Sequence, residues 1–171
     1  QFHCNIIGDG PVYDQLESQI LNNGLGEYIT LHGALTSVDI VRLLSEAWIF
    51  VLPCVRILGG QGDHPGKFVT VVEDGIPSSI VEAMSVGLPV VTTDVGSLPE
   101  IVEHSVNGIV ISEREIDNLS EVLLQLIDDS SLRDRLGREA RKTIVSDFDT
   151  VVCTRVLGSL MSTAINNRRV V

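Results

Sequence analysis

The sequence predicts an α/β fold, a Rossmann-like open parallel sheet flanked by helices. Short apolar runs alternate with stretches of helical periodicity as far as about residue 111. Glycine and proline mark the ends of many of these stretches. The length of 171 residues matches one domain and can bury a sizeable core. Such alternation implies parallel strands that are joined by helices.

The elements follow in order along the chain. Apolar runs predict strands at 2–7, 28–32, 48–53, 89–93 and 108–111. Helical patterns lie at about 12–23, 37–46 and 77–86, and after the last strand at 115–128, 131–146 and about 150–166. Ligands of open parallel sheets bind beyond the carboxyl ends of the strands, so residues that directly follow strands are the binding candidates and are expected to converge on one crevice.

The run DGIPSSIVEAMSVGLPVV contains the most informative pattern of the chain. Pro77 has a fixed φ that suits the first turn of a helix, so we expect the helix to begin there. The amides of Ser78 and Ser79 then belong to a first turn that offers them no partner inside the helix. With the helix dipole behind them, these amides can receive an anion, which predicts a site for a phosphorylated ligand.

Two carboxylates flank this predicted helix start. Asp74 precedes it and Glu82 lies on it, and a rise of about 1.5 Å per residue separates their backbones by roughly 10 Å. The carboxyl groups of a retaining glycosidase lie only about 5 Å apart. The spacing therefore predicts two contacts to the opposite ends of one extended ligand.

The same run resembles the donor-site signature of the family 4 glycosyltransferases of the GT-B fold, the group 1 transferases. Their pattern is Glu-x7-Glu, then Ala-Met and Gly-x-Pro-Val-Val. The matching residues are Glu82, Ala83, Met84, Gly87, Pro89, Val90 and Val91. Asp74 stands where the first glutamate is expected, and Glu73 is one residue out of register.

The resemblance implies roles for particular residues. Glu82 would hold the nucleotide ribose, and Asp74, or Glu73 in its place, would occupy the catalytic position beside the donor sugar. The residues between the two acids would also bind the donor: Gly75, Ile76, Pro77, Ser78 and Ser79.

Further segments are similar to the family in the same order. They are FHCNIIGDGP, ITLHGAL, WIFVLPC and VTTDVGSLPEIVEHSVNGIVI. The first implies a donor-site turn at Gly8, and the second places Leu35 against the nucleobase. Together they imply the C-terminal half of a GT-B fold.

The family resemblance implies a retaining glycosyltransferase of polysaccharide biosynthesis. The donor would be a UDP- or GDP-sugar, no metal or other cofactor would be required, and the acceptor would be a glycan, a lipid-linked saccharide or a small molecule. In the family an Arg and a Lys of the first strand–helix unit grip the diphosphate, and this chain begins after that point. We therefore expect a single donor-binding domain, 1–171, without its first strand–helix unit and without the N-terminal acceptor domain, active as the full-length protein and inactive alone.

A noncatalytic nucleotide-sugar binding or interaction module with a degenerate active site is the alternative. The aspartate at position 74, where the family has glutamate, favours it. An epimerase or phosphorylase of the same fold is disfavoured because those enzymes lack the Glu-Ala-Met-x-x-Gly-x-Pro arrangement.

The net charge of −11 argues against general nucleic-acid binding. Residues 1–130 hold four Arg or Lys against nineteen acids, and residues 131–171 hold eight against four. The basic end is interpreted as a solvated helix face, with contact to a partner domain or an anionic membrane surface as the alternative.

Cysteine content and hydropathy predict a cytoplasmic protein. The three cysteines show no metal-ligand spacing, which favours a reducing compartment. No apolar run of 18 residues is present, so neither a transmembrane helix nor a secretory leader is expected. Peripheral association with the inner face of the membrane remains open.

Three local features complete the predictions. The glycine-rich stretch 55–73 is longer than most connections, and is interpreted either as a functional loop, in which Arg56, His64 or Lys67 reaches donor or acceptor, or as a disordered insertion. Aspartate in the Asp147–Asp149 stretch is expected to cap a helix rather than bind a metal. Ser97 is expected to cap a helix that contains Glu100.

Overall fold

The computed structural model describes residues 2–56 and 75–168. These residues belong to two compact units, the first containing 2–46 and the second containing 47–56 and 75–168. Both units contain parallel strands flanked by helices, so the predicted fold class is confirmed. The predictions for Glu73, Asp74, His64 and Lys67 lie outside the described residues.

The first unit contains two strands and two helices. The elements are β1 (Cys4–Ile6), α1 (Tyr13–Asn22), β2 (Ile29–Leu31) and α2 (Ser37–Glu46). The strands pair in parallel, with Cys4 opposite Ile29. Both strands and both helices lie where the apolar periodicity predicts them, and the strands are shorter than the apolar runs.

The second unit contains a three-stranded parallel sheet in the order β3-β4-β5. Its strands are β3 (Phe50–Leu52), β4 (Val90–Thr93) and β5 (Ile109–Ile111). Its helices are α3 (Ser78–Ser85), α4 (Leu98–Ile101), α5 (Ile116–Asp128), α6 (Ser130–Thr143) and α7 (Thr150–Arg168), with a π-helical segment at Ile144–Phe148.

The core of the second unit is centred on β4. All four residues of this central strand are buried, as expected for a parallel strand that is covered on both faces. On α3, the side chains of Ile80, Ala83 and Met84 are 0% exposed. The packing of α3 against β4 and α6 therefore fixes which face of α3 is left for solvent or a ligand.

The end of α3 follows from its glycine and proline, as predicted. Gly87 has a φ of +82°, which a side chain would strain. Its N–H donates to the Met84 carbonyl at 3.0 Å, and the Leu88 N–H donates to the Ala83 carbonyl at 3.1 Å. These two bonds form a Schellman motif, in which glycine is favoured and a nearby proline prevents the helix from continuing.

The start of α3 differs by one residue from the prediction. Pro77 has a ψ of 132°, so its backbone is extended and the helix begins at Ser78. The Pro77 carbonyl accepts the Ile80 N–H at 3.2 Å. Pro77 thus directs the chain into the helix and does not occupy its first turn.

The predicted helix caps have mixed outcomes. Asp149 caps α7, because its Oδ1 accepts the Val151 N–H at 2.8 Å. The prediction for Ser97 is wrong, because its hydroxyl makes no capping bond to α4 and is buried without a partner among the described residues. Asp129 caps α6, and hydrogen bonds from the Ser131 hydroxyl and Leu132 amide hold its pKa below the usual value.

The prediction of a solvated basic face on α6 is only partly correct. Arg138 and Lys142 are exposed. Three other arginines donate to backbone carbonyls of different elements instead: Arg133 to Leu126 and Ile127, Arg135 to Ser105, and Arg141 to Ser85. Three of these acceptors, Leu126, Ile127 and Ser85, lie in the last turns of α5 and α3, where cations are favoured by the helix dipole.

Among the residues that the structure describes, one helical stretch is long and apolar enough to cross a membrane. Ser130–Ile165 contains a window with a mean hydropathy of 1.2, none of which is buried. A single stretch of this kind is weak support for a span, and the sequence predicts none.

Asn107 is a buried side chain of the second unit with three hydrogen bonds to described residues. It is 4% exposed. Its Oδ1 accepts the Glu103 N–H at 2.7 Å, and its Nδ2 donates to the Ile101 carbonyl and the Thr143 hydroxyl, both at 3.0 Å. These bonds tie the turn before β5 to the end of α6.

We expect Asn107→Leu to lower the free energy of unfolding by about 2–3 kcal/mol, because it leaves the buried Ile101 carbonyl and the part-buried Glu103 amide without their partner. Urea denaturation measures the change. Asn118→Leu is the matched control, since its amide makes one surface bond to Glu115, and we expect a change below about 0.5 kcal/mol. Equal effects of the two substitutions would contradict the stabilising role of the Asn107 hydrogen bonds.

Candidate functional site

One face of α3 is exposed at its first turn. Ser78 and Glu82 are both exposed and lie four residues apart, so they are neighbours on the helix surface. The opposite face is the buried one. The fold thus presents Glu82, which is predicted to hold the nucleotide ribose, and the first turn of the helix on the same side of α3.

The chain reaches α3 through a turn that only glycine adopts readily. Gly75 has a φ of +135°, and a Cβ atom there would meet no atom of the described residues within 4 Å. The backbone conformation is therefore a reason for glycine at this position. Ile76 and Pro77 follow, half-buried, and set the direction of the helix.

The first-turn amides of α3 are available for a ligand. The N–H groups of Ser78 and Ser79 have no acceptor inside the helix. Among the described residues, neither donates a hydrogen bond outside it. Two free donors at the positive end of a helix can bind an anionic oxygen.

Buried threonines of β4 bind the end of β3 and the segment that follows it. The Thr92 hydroxyl donates to the Leu52 carbonyl at 2.9 Å, and the Thr93 hydroxyl donates to the Cys54 carbonyl at 2.7 Å. Burial raises the pKa of the Cys54 thiol, so this cysteine stays protonated and is a poor nucleophile near neutral pH.

A cluster of four charged residues at the carboxyl end of this sheet was missed as a group by the sequence prediction. The Arg56 Nη2 donates to the Asp94 carbonyl at 2.9 Å, and the Arg56 N–H donates to the Glu113 carboxylate at 2.6 Å. Arg114 donates to the Arg56 carbonyl at 3.3 Å. Each member follows one of the three strands within a few residues, and that common position is the feature of the sequence that could have revealed the cluster.

Formal charges in this cluster cancel, because two arginines stand beside two acids. The Glu113 N–H also donates to the Asp94 carboxylate at 3.3 Å. One guanidinium N–H of Arg56 and its backbone N–H are directed to the protein's own groups. The cluster therefore stabilises the carboxyl end of the sheet.

In the first unit, the predicted glycine turn is built from two residues. The Gly8 N–H donates to the Gly33 carbonyl at 2.8 Å, and both residues have positive φ. An open cavity of about 370 Å³ adjoins this turn and is lined by Asp9, Gly10, Pro11, Tyr13, Asp14 and Gly33. Leu35, the predicted base-contacting residue, follows Gly33 and is half-buried.

The described residues bring together only part of the predicted site. The exposed Gly75, Ser78 and Glu82 share one surface with the half-buried Ser79, whereas Asp74 and Glu73 lie outside the described ranges. Within those ranges, no group of three or more His, Cys, Asp or Glu side chains could hold a metal ion.

Comparison with known proteins gives a consistent result. Residues 1–143 match the family model described as "Glycosyl transferases group 1". The chain is 31% identical over 160 residues to an amylovoran biosynthesis glycosyltransferase, AmsK, of Erwinia amylovora. It is 24% identical over 143 residues to a GDP-mannose-dependent phosphatidylinositol monomannoside mannosyltransferase of Mycobacterium tuberculosis.

A solved structure has the same fold. Anabaena HepE in complex with UDP-glucose superimposes with a TM-score of 0.70 over 94% of this chain, at 25% identity. The alignments cover 94% of this chain but 37% of the Erwinia protein, 84% of this chain but 34% of the mycobacterial protein, and 41% of HepE. The chain thus spans about two fifths of the length of these relatives or less.

Proposed function

Because the chain belongs to the glycosyl transferases group 1 family, we propose that it forms the donor-binding part of a retaining glycosyltransferase. The full-length protein transfers a sugar from a UDP- or GDP-sugar to a glycan, a lipid-linked saccharide or a small-molecule acceptor. It works in polysaccharide biosynthesis, in the cytoplasm or at the inner face of the membrane. No metal or other cofactor is required in this proposal.

The observation that carries the proposal is the exposed face of α3. Ser78 and Ser79 offer first-turn amides, and Glu82 lies one turn further along the helix. The amides and the helix dipole neutralise the diphosphate, whose charge grows as the sugar leaves. The Glu82 carboxylate accepts hydrogen bonds from the ribose hydroxyls, and such charge-assisted bonds are among the stronger ones.

The remaining donor contacts are assigned along the chain. Asp74, or Glu73 in its place, lies beside the donor sugar. Gly75 and Ile76 place the backbone near the phosphates. Leu35 packs against the base, and the Gly8 turn borders the donor. The cations for the diphosphate and the residues that choose the acceptor lie in parts of the whole protein beyond this chain, so the chain alone is inactive.

The relatives indicate two candidate donor nucleotides. The mycobacterial relative is named as GDP-mannose-dependent, and HepE was solved with UDP-glucose. Both donors have a ribose and a diphosphate, the two groups that α3 contacts in this proposal. The base and the sugar are therefore the parts that distinguish them.

One observation favours a second function. Aspartate at position 74 is shorter than the family's glutamate. A degenerate site of this kind would retain nucleotide-sugar binding without transfer. Binding and transfer must therefore be measured separately.

Calorimetric titration of the full-length protein with UDP-glucose and GDP-mannose tests the proposal. We expect saturable 1:1 binding of one donor and clearly weaker binding of the other, because only the base and sugar contacts differ. Release of free UDP or GDP from the bound donor supports the enzyme, and binding without release supports the noncatalytic module. A protein that binds neither these two donors nor other UDP- and GDP-sugars would contradict both.

A further inference from the structure

A second cleft lies at the amino end of the sheet in the second unit. Its volume is about 440 Å³, within the range of small-molecule sites. Its walls include Trp48, which precedes β3, the segment Gly87–Pro89, which precedes β4, and three arginines of α6. Because Gly87 lies two residues after the end of α3, this cleft adjoins the opposite end of α3 from Ser78.

Arginine dominates the polar part of the cleft. Arg133, Arg138 and Arg141 line it together with one acid, Asp134. Arg133 and Arg141 are two helical turns apart, so they project from the same side of α6. Planar guanidinium groups match the oxygens of a phosphate better than any other side chain does.

Two of the three guanidinium groups are held in place by the protein. Arg133 Nη1 donates to the Leu126 and Ile127 carbonyls at 2.5 and 2.8 Å, and its guanidinium lies 4.7 Å from the centre of the Trp48 ring. Arg141 Nη1 donates to the Ser85 carbonyl. Each guanidinium carries five N–H donors, so both keep donors for a ligand while their positions are already fixed.

Arg138 differs from these two. It is exposed, and it makes no hydrogen bond or ion pair with any residue that the structure describes. Structural capping therefore accounts for Arg133 and Arg141 but not for Arg138. Its charge is free for a ligand.

The charge balance still favours an anion after the helix ends are included. Three arginines and one aspartate give a formal excess of two positive charges. The carboxyl ends of α3 and α5 each contribute about half a negative charge, so about one positive charge remains. Residues 1–130 carry a large excess of acids, so this positive cleft stands out within the chain.

The cleft also has apolar walls, and a ligand that fits them needs an apolar or planar part. Trp48 is 57% exposed, and Leu88 and Pro89 line the same cleft. A ligand that combines a phosphate with an adjoining apolar or planar part would use both kinds of wall.

We propose that this cleft is a second anion site, which binds the phosphate group of a phosphorylated molecule. Arg138 provides the free charge, and Arg133 and Arg141 provide pre-positioned donors. A phospholipid headgroup and a soluble phosphorylated compound present the same group. The experiment has one arm for each source.

The test uses the full-length protein with two probes. Calorimetry measures the binding of inorganic pyrophosphate, and vesicle flotation compares phosphatidylcholine vesicles with and without phosphatidylglycerol. The variant is Arg138→Gln, and Arg155→Gln on α7 is the matched control, because it removes the same charge from the same basic end of the chain. Arg138→Lys keeps the charge without the planar fork, so it serves as the second variant if Arg138→Gln does not fold.

We expect Arg138→Gln to weaken binding about tenfold, the value of one charged hydrogen bond, while Arg155→Gln changes it less than about twofold. Pyrophosphate binding that depends on Arg138 identifies a soluble phosphate source. Binding to phosphatidylglycerol vesicles alone, again dependent on Arg138, identifies a headgroup. Absence of binding to both probes overturns the proposal, as does an equal loss in the two glutamine variants.

Discussion

Gly137→Ala lowers the free energy of unfolding by about 2 kcal/mol or more, although alanine is the better helix former. A Cβ atom on Gly137 would lie 2.1 Å from the Gly87 carbonyl oxygen and 3.1 Å from its carbon. Both atoms belong to the backbone, so no side-chain rotation relieves the clash. Overpacking of about 3 kcal/mol outweighs the gain of about 1 kcal/mol in helix propensity, and α6 has to move away from the end of α3.

Gly158→Ala is the matched control for this prediction. Gly158 lies inside α7, and a Cβ atom there would meet no atom within 4 Å in the part of the chain that the structure describes. The same substitution should therefore stabilise the protein by up to about 1 kcal/mol. Urea denaturation of both variants should give changes of opposite sign, and a stabilising Gly137→Ala would show that α6 does not contact the Gly87 backbone.

Glu82→Ala weakens binding of the nucleotide-sugar donor about 10- to 100-fold. The prediction follows from the proposed bonds between this carboxylate and the ribose hydroxyls, since hydrogen bonds to a charged group contribute about 1.5–3 kcal/mol each. The Glu82 side chain is exposed, and it makes no hydrogen bond or ion pair with a described residue. We therefore expect the loss in affinity without a loss in stability.

Calorimetry with the donor that binds the native protein measures this effect. Glu121→Ala is the control, because Glu121 is an exposed glutamate on α5 and its loss changes the net charge equally. Unchanged affinity in Glu82→Ala would contradict the proposal that Glu82 binds the ribose. A loss of thermal stability in that variant alone would point to a structural role instead.

Local patterns in the sequence were sufficient for the elements around α3. Apolar residues at helical spacing, then a glycine and a proline, predict a short helix followed by a buried strand, and both are present as α3 and β4. The one-residue error at Pro77 arises because proline suits the position before a helix as well as its first turn. The exposed position of Glu82 follows from the same periodicity.

Contacts between distant segments were not predictable in this way. Arg56 meets Asp94 and Glu113 across 38 and 57 residues of sequence, and Asn107 meets Thr143 across 36. These pairs depend on strand order and on the packing of α6, which no local pattern encodes. The basic face of α6 shows the same limit, because Arg133 and Arg141 donate to the carboxyl ends of α5 and α3, which adjoin α6 only in the folded chain.

The most direct measurement is a crystal structure of the full-length protein with its bound nucleotide-sugar donor. The account predicts that the Glu82 carboxylate accepts hydrogen bonds from the ribose hydroxyls at about 2.5–3.0 Å, with diphosphate oxygens on the Ser78 and Ser79 amides. A donor whose ribose and diphosphate bind elsewhere, with Glu82 and the start of α3 left in solvent, would contradict it.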